Sequence, residues 1–298
     1  MDKVLLKTTV EETNNDWCVH RFQLLKDELE KAGFSVDCRN RINEENGNDK
    51  DFMSLPNSSY SQMWLFAIEA NHGGLTKTDT VNIDVFRRNG KGLMLTRDHM
   101  DVGSTLVGIP EVGPAHHFHS VNPEIDRDRR RRDDTYSMHL DWPNYHSGLN
   151  GSCQQIVVTN REHPLLKRDN KSIRYFPAHP HEGAVSIPQG TEDFASVIAK
   201  GRSALSGVEF NLIIAFESHL VGDDPTQQYG RTAMHSSFHH FADYNWDTST
   251  GCPSFVSDPE GSGMSESTEA QQDIRIYCRN LAHWLSDGSV RSIEGAIK

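Results

Sequence analysis

The chain has 298 residues, of which 36% are hydrophobic and 24% charged, and a formal net charge of −12. That length and balance fit a soluble globular protein with a substantial core. The acidic excess argues against a general nucleic-acid binder, which gains affinity by neutralising phosphates. No apolar run approaches the roughly 20 residues of a membrane helix, so neither nucleic acid nor membrane is expected as a partner. The N-terminal stretch "MDKVLLKTTVEETNND" lacks a signal-peptide layout. The five cysteines are odd in number, scattered and without a C-x-x-C pair. This pattern is expected of reduced thiols in a cytoplasmic protein and argues against a disulfide framework or a thiolate zinc site.

In chain order, "KVLLKTTV" reads as a short strand, and residues 17–32 as a helix with apolar positions at Val19, Phe22, Leu25 and Leu29. Gly33 stands where a helix C-cap belongs, and "FSVDCRN" reads as a second strand. After a polar loop come the apolar strand "QMWLFAI" (62–68), a helix over 77–89 and a further buried strand over 91–96. Apolar strands alternating with helical patterns predict an α/β fold, doubly wound, with a mostly parallel sheet flanked by helices. Residues 110–150 form an irregular insertion rich in His, Arg and Asp, whose aromatics Phe118, Tyr136, Trp142 and Tyr145 favour a packed excursion. Within it, "DRDRRRRDD" (126–134) interleaves five arginines with four aspartates and reads as a self-paired solvated loop, or otherwise as an anion-binding lid. Strands return at "QQIVVT", "VEFNLIIAFES" and "GRTAMHSSF". Residues 264–298 carry a C-terminal docking helix with apolar positions at Ile274, Tyr277, Leu281 and Leu285. A single domain over 1–298 is expected.

The chain has sixteen histidines, nine of them between His99 and His181. In open α/β sheets the ligand site lies at the carboxyl ends of the strands, and two chemically rich segments fall there, "EANH" (69–72) and "RDHMD" (97–101). The strand-to-helix turn "TRDH" has neither Ser nor Cys at its tip, so acyl transfer from a nucleophile elbow is not expected. Cys153 reads as a small buried thiol. His and carboxylate ligands suit Zn²⁺, Fe²⁺ or Mn²⁺. They could come from Glu69 and His72, from Asp98 and His99, from "HPHEG" (179–183), and from His235, His239 and His240. No H-E-x-x-H spacing singles out one motif. His179 and His181 lie two apart, which puts both on one face of an extended segment. "HHFH" (116–119) reads as a structural or surface element, or as a loop that could close over the site.

The order of these motifs resembles that of ThuA-like (trehalose-utilisation) proteins, a branch of the class I glutamine-amidotransferase-like fold. The likeness spans roughly residues 62–247 and lies in "LFAIEANHGGL", "GLMLTRDHMDVGSTLVG", "NREHPLL" and "GRTAMHSSFHHFADYN". It implies that His72 and His99 match family histidines, that Glu69 replaces another, and that His239 or His240 matches the late one. It further implies a link to sugar metabolism, a divalent metal held by these histidines, and no glutaminase activity, since the cysteine is missing.

Together these readings point to a metal-dependent hydrolase, lyase or isomerase acting on a small polar, sugar-derived molecule. The metal ligands are expected among Glu69, His72, His99, His181, His239 and His240. Glu182 or Asp98 is expected as general base, with Arg97 holding an anionic or oxyanionic group. In "HPHEG", His181 and Glu182 are expected to face the site, with His179 supporting them. Two alternatives stand beside this reading: a non-catalytic binding or sensor protein, and a metal-free acid/base enzyme using His99 and Glu182. A small-molecule substrate is the expected partner, and a homo-oligomer is compatible with the sequence.

Overall fold

A computed structural model describes residues 1–12, 17–70, 73–130, 144–222 and 224–287. The leading apolar run forms β1 (Lys3–Thr8), and the helical pattern after it resolves into a short 3-10 turn followed by α1 (Gln23–Lys31). Val19, Phe22, Leu25 and Leu29 are all buried, so the apolar spacing marks the face that packs. Gly33 takes φ +95° just past that helix, a left-handed conformation that glycine adopts without a Cβ clash. Then follow β2 (Ser35–Arg39), β3 (Gln62–Phe66), α2 (Lys77–Arg88) and β4 (Gly92–Thr96). α2 starts at a capping box in which Thr76 and Asp79 exchange side-chain and backbone hydrogen bonds. Four more strands, β5 (Val157–Val158), β6 (Ala195–Arg202), β7 (Glu209–Phe216) and β8 (Thr232–His235), precede α3 (Thr268–Ser286).

The eight strands form one sheet in the order β2-β1-β3-β4-β8-β7-β6-β5. β2, β1, β3, β4 and β8 are mutually parallel. β7, β6 and β5 join antiparallel, so the expected α/β sheet is mostly parallel with an antiparallel edge. Alternate residues feed two cores. Val4, Leu6, Trp64, Phe66 and Met94 face α1 and α3, while Leu5, Met63, Leu65, Leu93 and Leu95 face α2. All five cysteines are free thiols. Cys153 is half-buried, with its thiol pKa pushed up by burial. Among the described residues no helix is long and apolar enough to cross a membrane.

The described parts of the insertion are packed at its two ends, while the stretch 119–130 is mostly exposed. His116–His117 pairs antiparallel with Ala184–Val185, and Phe118 and Tyr145 are buried. "HHFH" therefore begins inside the molecule: both His116 and His117 are fully buried. Tyr136 and Trp142 lie outside the described residues. In the arginine-rich run, Arg129 reaches out of the run to Glu124 (2.8 Å) and Glu192 (3.3 Å). Its stretch 131–134 lies outside the described residues.

Candidate metal centre

The parallel strands β3, β4 and β8 are adjacent and end on the same edge of the sheet. Their following turns carry Glu69, Asp98 with His99, and His239 with His240. The loop 178–183 closes over this edge. Gly183 makes that approach possible: a Cβ there would lie 2.7 Å from Arg97 Nε and 2.8 Å from the Asp98 carbonyl oxygen. The same loop is tied down by Ser147, whose hydroxyl accepts from the His179 amide at 2.8 Å, and by the Gly183 amide donating to the Ser236 carbonyl at 3.0 Å.

At the centre lie Asp98, His179 and His239, each buried and each offering one donor atom within 4.8 Å of the others. His239 Nε2 is 3.3 Å from Asp98 Oδ2, and His99 Nδ1 is 3.1 Å from the same oxygen. The rings of His179 and His239 stack at 3.4 Å between centroids. A short helical turn, Asp243–Trp246, grips the His239 segment through three side chains. The Tyr244 hydroxyl meets His239 Nδ1, Asn245 donates to the His239 carbonyl at 2.8 Å, and Trp246 donates to the His240 carbonyl at 2.8 Å.

Burial pushes the pKa of His179 well below its ordinary value and lowers that of His239. Burial alone would raise that of Asp98, but the neighbouring imidazoles of His99 and His239 hold it well below the usual carboxylate range. An ionised carboxylate beside two imidazoles whose protonation burial disfavours is a donor set that could hold a divalent cation. The group opens on a cavity of about 330 Å³. Its walls include the apolar Trp17, Val102, Phe238 and Phe255, and His99 and His181 stand in it with ring centroids 5.1 Å apart. Burial and the nearby His99 push His181 down to about 4.

Several sequence expectations are rearranged. Asp98, expected as a base, sits within the donor group, and so does His179, expected only to support His181. His181 lines the cavity beside His99 without joining the group. Glu69 is spent elsewhere: Oε2 takes the Thr9 hydroxyl, and Oε1 takes the Thr105 hydroxyl at 2.5 Å and its amide at 3.2 Å. Arg97 is completely buried with its guanidinium on the carbonyls of Asp98, Met100 and His117 and its flat face 3.9 Å from the Phe118 ring. Those engaged donors leave it as a scaffold of the turn rather than an oxyanion holder. Glu182 is fully buried, accepting from Ser147, Gln154, Ser236 and His240 at 2.6–3.0 Å, and it pulls His240 away from the group. His72 lies outside the described residues. In "NREHPLL", His163 caps the turn Pro164–Leu166 and packs edge-on against Trp284 of α3, away from the cavity. Tyr244 and Trp17 are site residues that the sequence does not signal, because lone aromatics carry no ligand signature.

The whole chain resembles a protein described as thua-like from Parabacteroides merdae ATCC 43184, with a TM-score of 0.51, 16% identity and coverage of 98% of this chain and 92% of that one. A glutaminase domain of CTPS from Trypanosoma brucei, solved with bound acivicin, aligns at a TM-score of 0.46 and 11% identity, over 95% of this chain and 94% of that one. No family model and no curated protein matches the sequence. The chain has an α/β fold with a mostly parallel sheet like that of the thua-like protein, in agreement with the ThuA-like resemblance of its motifs.

Proposed function

We propose that the protein is a divalent-metal-dependent enzyme, a hydrolase, lyase or isomerase, with Asp98, His179 and His239 as the metal ligands. The observation that carries this reading is the convergence of three buried donors on one cavity at the carboxyl edge of the sheet. Two imidazoles and a carboxylate fit Zn²⁺, Fe²⁺ or Mn²⁺. A bound dication would polarise a carbonyl or lower the pKa of a water. The chain's own proton-transfer group is His99. Its Nδ1 lies 3.1 Å from Asp98 Oδ2, and its ring stands in the cavity within reach of a bound molecule. His181, kept neutral beside it, supplies a second acceptor. A cavity of about 330 Å³ suits a small molecule, and the ThuA-like resemblance favours a sugar-derived one.

Metal analysis of untagged protein tests the reading. About one equivalent of metal is expected, with a lower melting temperature after chelation. Asp98→Ala, His179→Ala and His239→Ala should each lose the metal, whereas His240→Ala should keep it. Substoichiometric metal in the wild type, with no thermal shift on chelation, would sink the proposal.

A further inference from the structure

His239 is walled by aromatic rings: His179 stacks on it at 3.4 Å and Phe238 at 4.0 Å, and Trp17 meets it edge-on at 5.3 Å. The polar group against its Nδ1 is the hydroxyl of Tyr244, itself 1% exposed. We propose that Tyr244 is the positioning residue of the centre: it sets the His239 tautomer and serves that ring in both its metal-free and its metal-bound form. The proposal rests on the metal reading above for its second half only.

A neutral imidazole carries one hydrogen. Nε2 lies 3.3 Å from Asp98 Oδ2, and an ionised carboxylate only accepts. In the metal-free ring the hydrogen is therefore on Nε2, and Nδ1 accepts from the Tyr244 hydroxyl. A cation taking the Nε2 lone pair requires the other tautomer. The hydrogen leaves Nε2, one is gained at Nδ1 by exchange with water, and the imidazole remains neutral with no net proton released. Nδ1–H then donates to the Tyr244 oxygen, whose own hydrogen rotates away. A phenol can do both because it is donor and acceptor at once. Phenylalanine can do neither, and the metal-bound ring would keep a buried N–H without an acceptor, a cost charged to metal affinity.

The test combines ¹⁵N NMR of the histidine side chains, assigned with His239→Gln, and titration with Zn²⁺ alone. In metal-free wild type, His239 should carry its hydrogen on Nε2. With Zn²⁺ bound, it should carry it on Nδ1. Tyr244→Phe should shift the metal-free Nδ1 resonance and weaken Zn²⁺ binding by about 10–100-fold. Tyr277→Phe is the control: it removes a buried hydroxyl of the same kind, 2.8 Å from His235 Nε2 and outside the donor group, and should bind Zn²⁺ like the wild type. A metal-free ring already protonated on Nδ1, or wild-type affinity in Tyr244→Phe, overturns the inference. An equal loss in Tyr277→Phe also overturns it, by reducing the effect to general destabilisation. If the wild type takes up no Zn²⁺, the metal reading fails, while the metal-free spectra still decide the assignment of Tyr244.

Discussion

Glu182 has no contact with solvent, and four donors converge on its carboxylate. Burial alone would raise its pKa, but His240 and the two serine hydroxyls lower it, so it is held ionised. The residue thus joins the 178–183 loop to Ser147 of the insertion, to the end of β8 at Ser236, and to the turn that carries His239. Glu182→Ala should leave several buried donors without an acceptor and cost about 3 kcal/mol or more, read as the change in urea-denaturation free energy. Glu182→Gln keeps the shape and should cost less. A loss below about 1 kcal/mol for the alanine variant would contradict this account. In sequence, the "HPHEG" stretch shows only that histidines and a glutamate crowd together. Burial separates their roles, placing His179 at the donor group, His181 in the cavity and Glu182 behind both.

At the level of elements, α3 covers the sheet face opposite α2 and is anchored through its first turns. Its N-terminus is capped by Ser267, and its buried Asp273 accepts from Arg168 at 2.5 Å and from the amides of Arg174 and Tyr175. Asp273 thereby ties the helix to the strand-like segment leading into the 178–183 loop. Leu281→Ala in its buried stripe should destabilise the protein by about 2–5 kcal/mol. Val85→Ala, on the outer side of α2 and 36% exposed, should stay within about 0.5 kcal/mol. Thermal or urea unfolding of the two variants side by side checks the contrast, and equal losses would mean that the docking face is misassigned. These helices and the first four strands are legible in the sequence because burial on a fixed face imprints a period of 3.6 or a continuous apolar run. The insertion is not legible in that way. Its order comes from partners distant in the chain, such as Val185 opposite His116 and Glu182 opposite Tyr145.

For the molecule as a whole, buried imidazoles and depressed carboxyls act on stability in the same direction. His116, His179 and His235 are held well below their ordinary pKa by burial, and His181 is pushed down to about 4. In the unfolded chain each would take up a proton near pH 6.5. As pH falls through that value the unfolded state therefore binds more protons than the folded one, and stability drops. The lowered carboxyls, Asp98 and Glu182 among them, add a further loss below about pH 4.5, again because the unfolded chain protonates first. Urea denaturation of chelated protein should show stability declining from about pH 7 downward and more steeply below about pH 5. A flat profile between pH 8 and 5 would refute the neutral, buried state of these rings. The apolar periodicities were enough to define an α/β scaffold and to point to the carboxyl edge of its sheet as the candidate site. Those features depend on neighbours in the chain or on the identity of single residues. The grouping of Asp98, His179 and His239 among the described histidines and carboxylates, as a candidate donor set, emerges only in three dimensions. Ligand sets depend on which side chains meet after strands distant in sequence become adjacent, and on which rivals, here Glu69 and His240, are drawn into other hydrogen bonds.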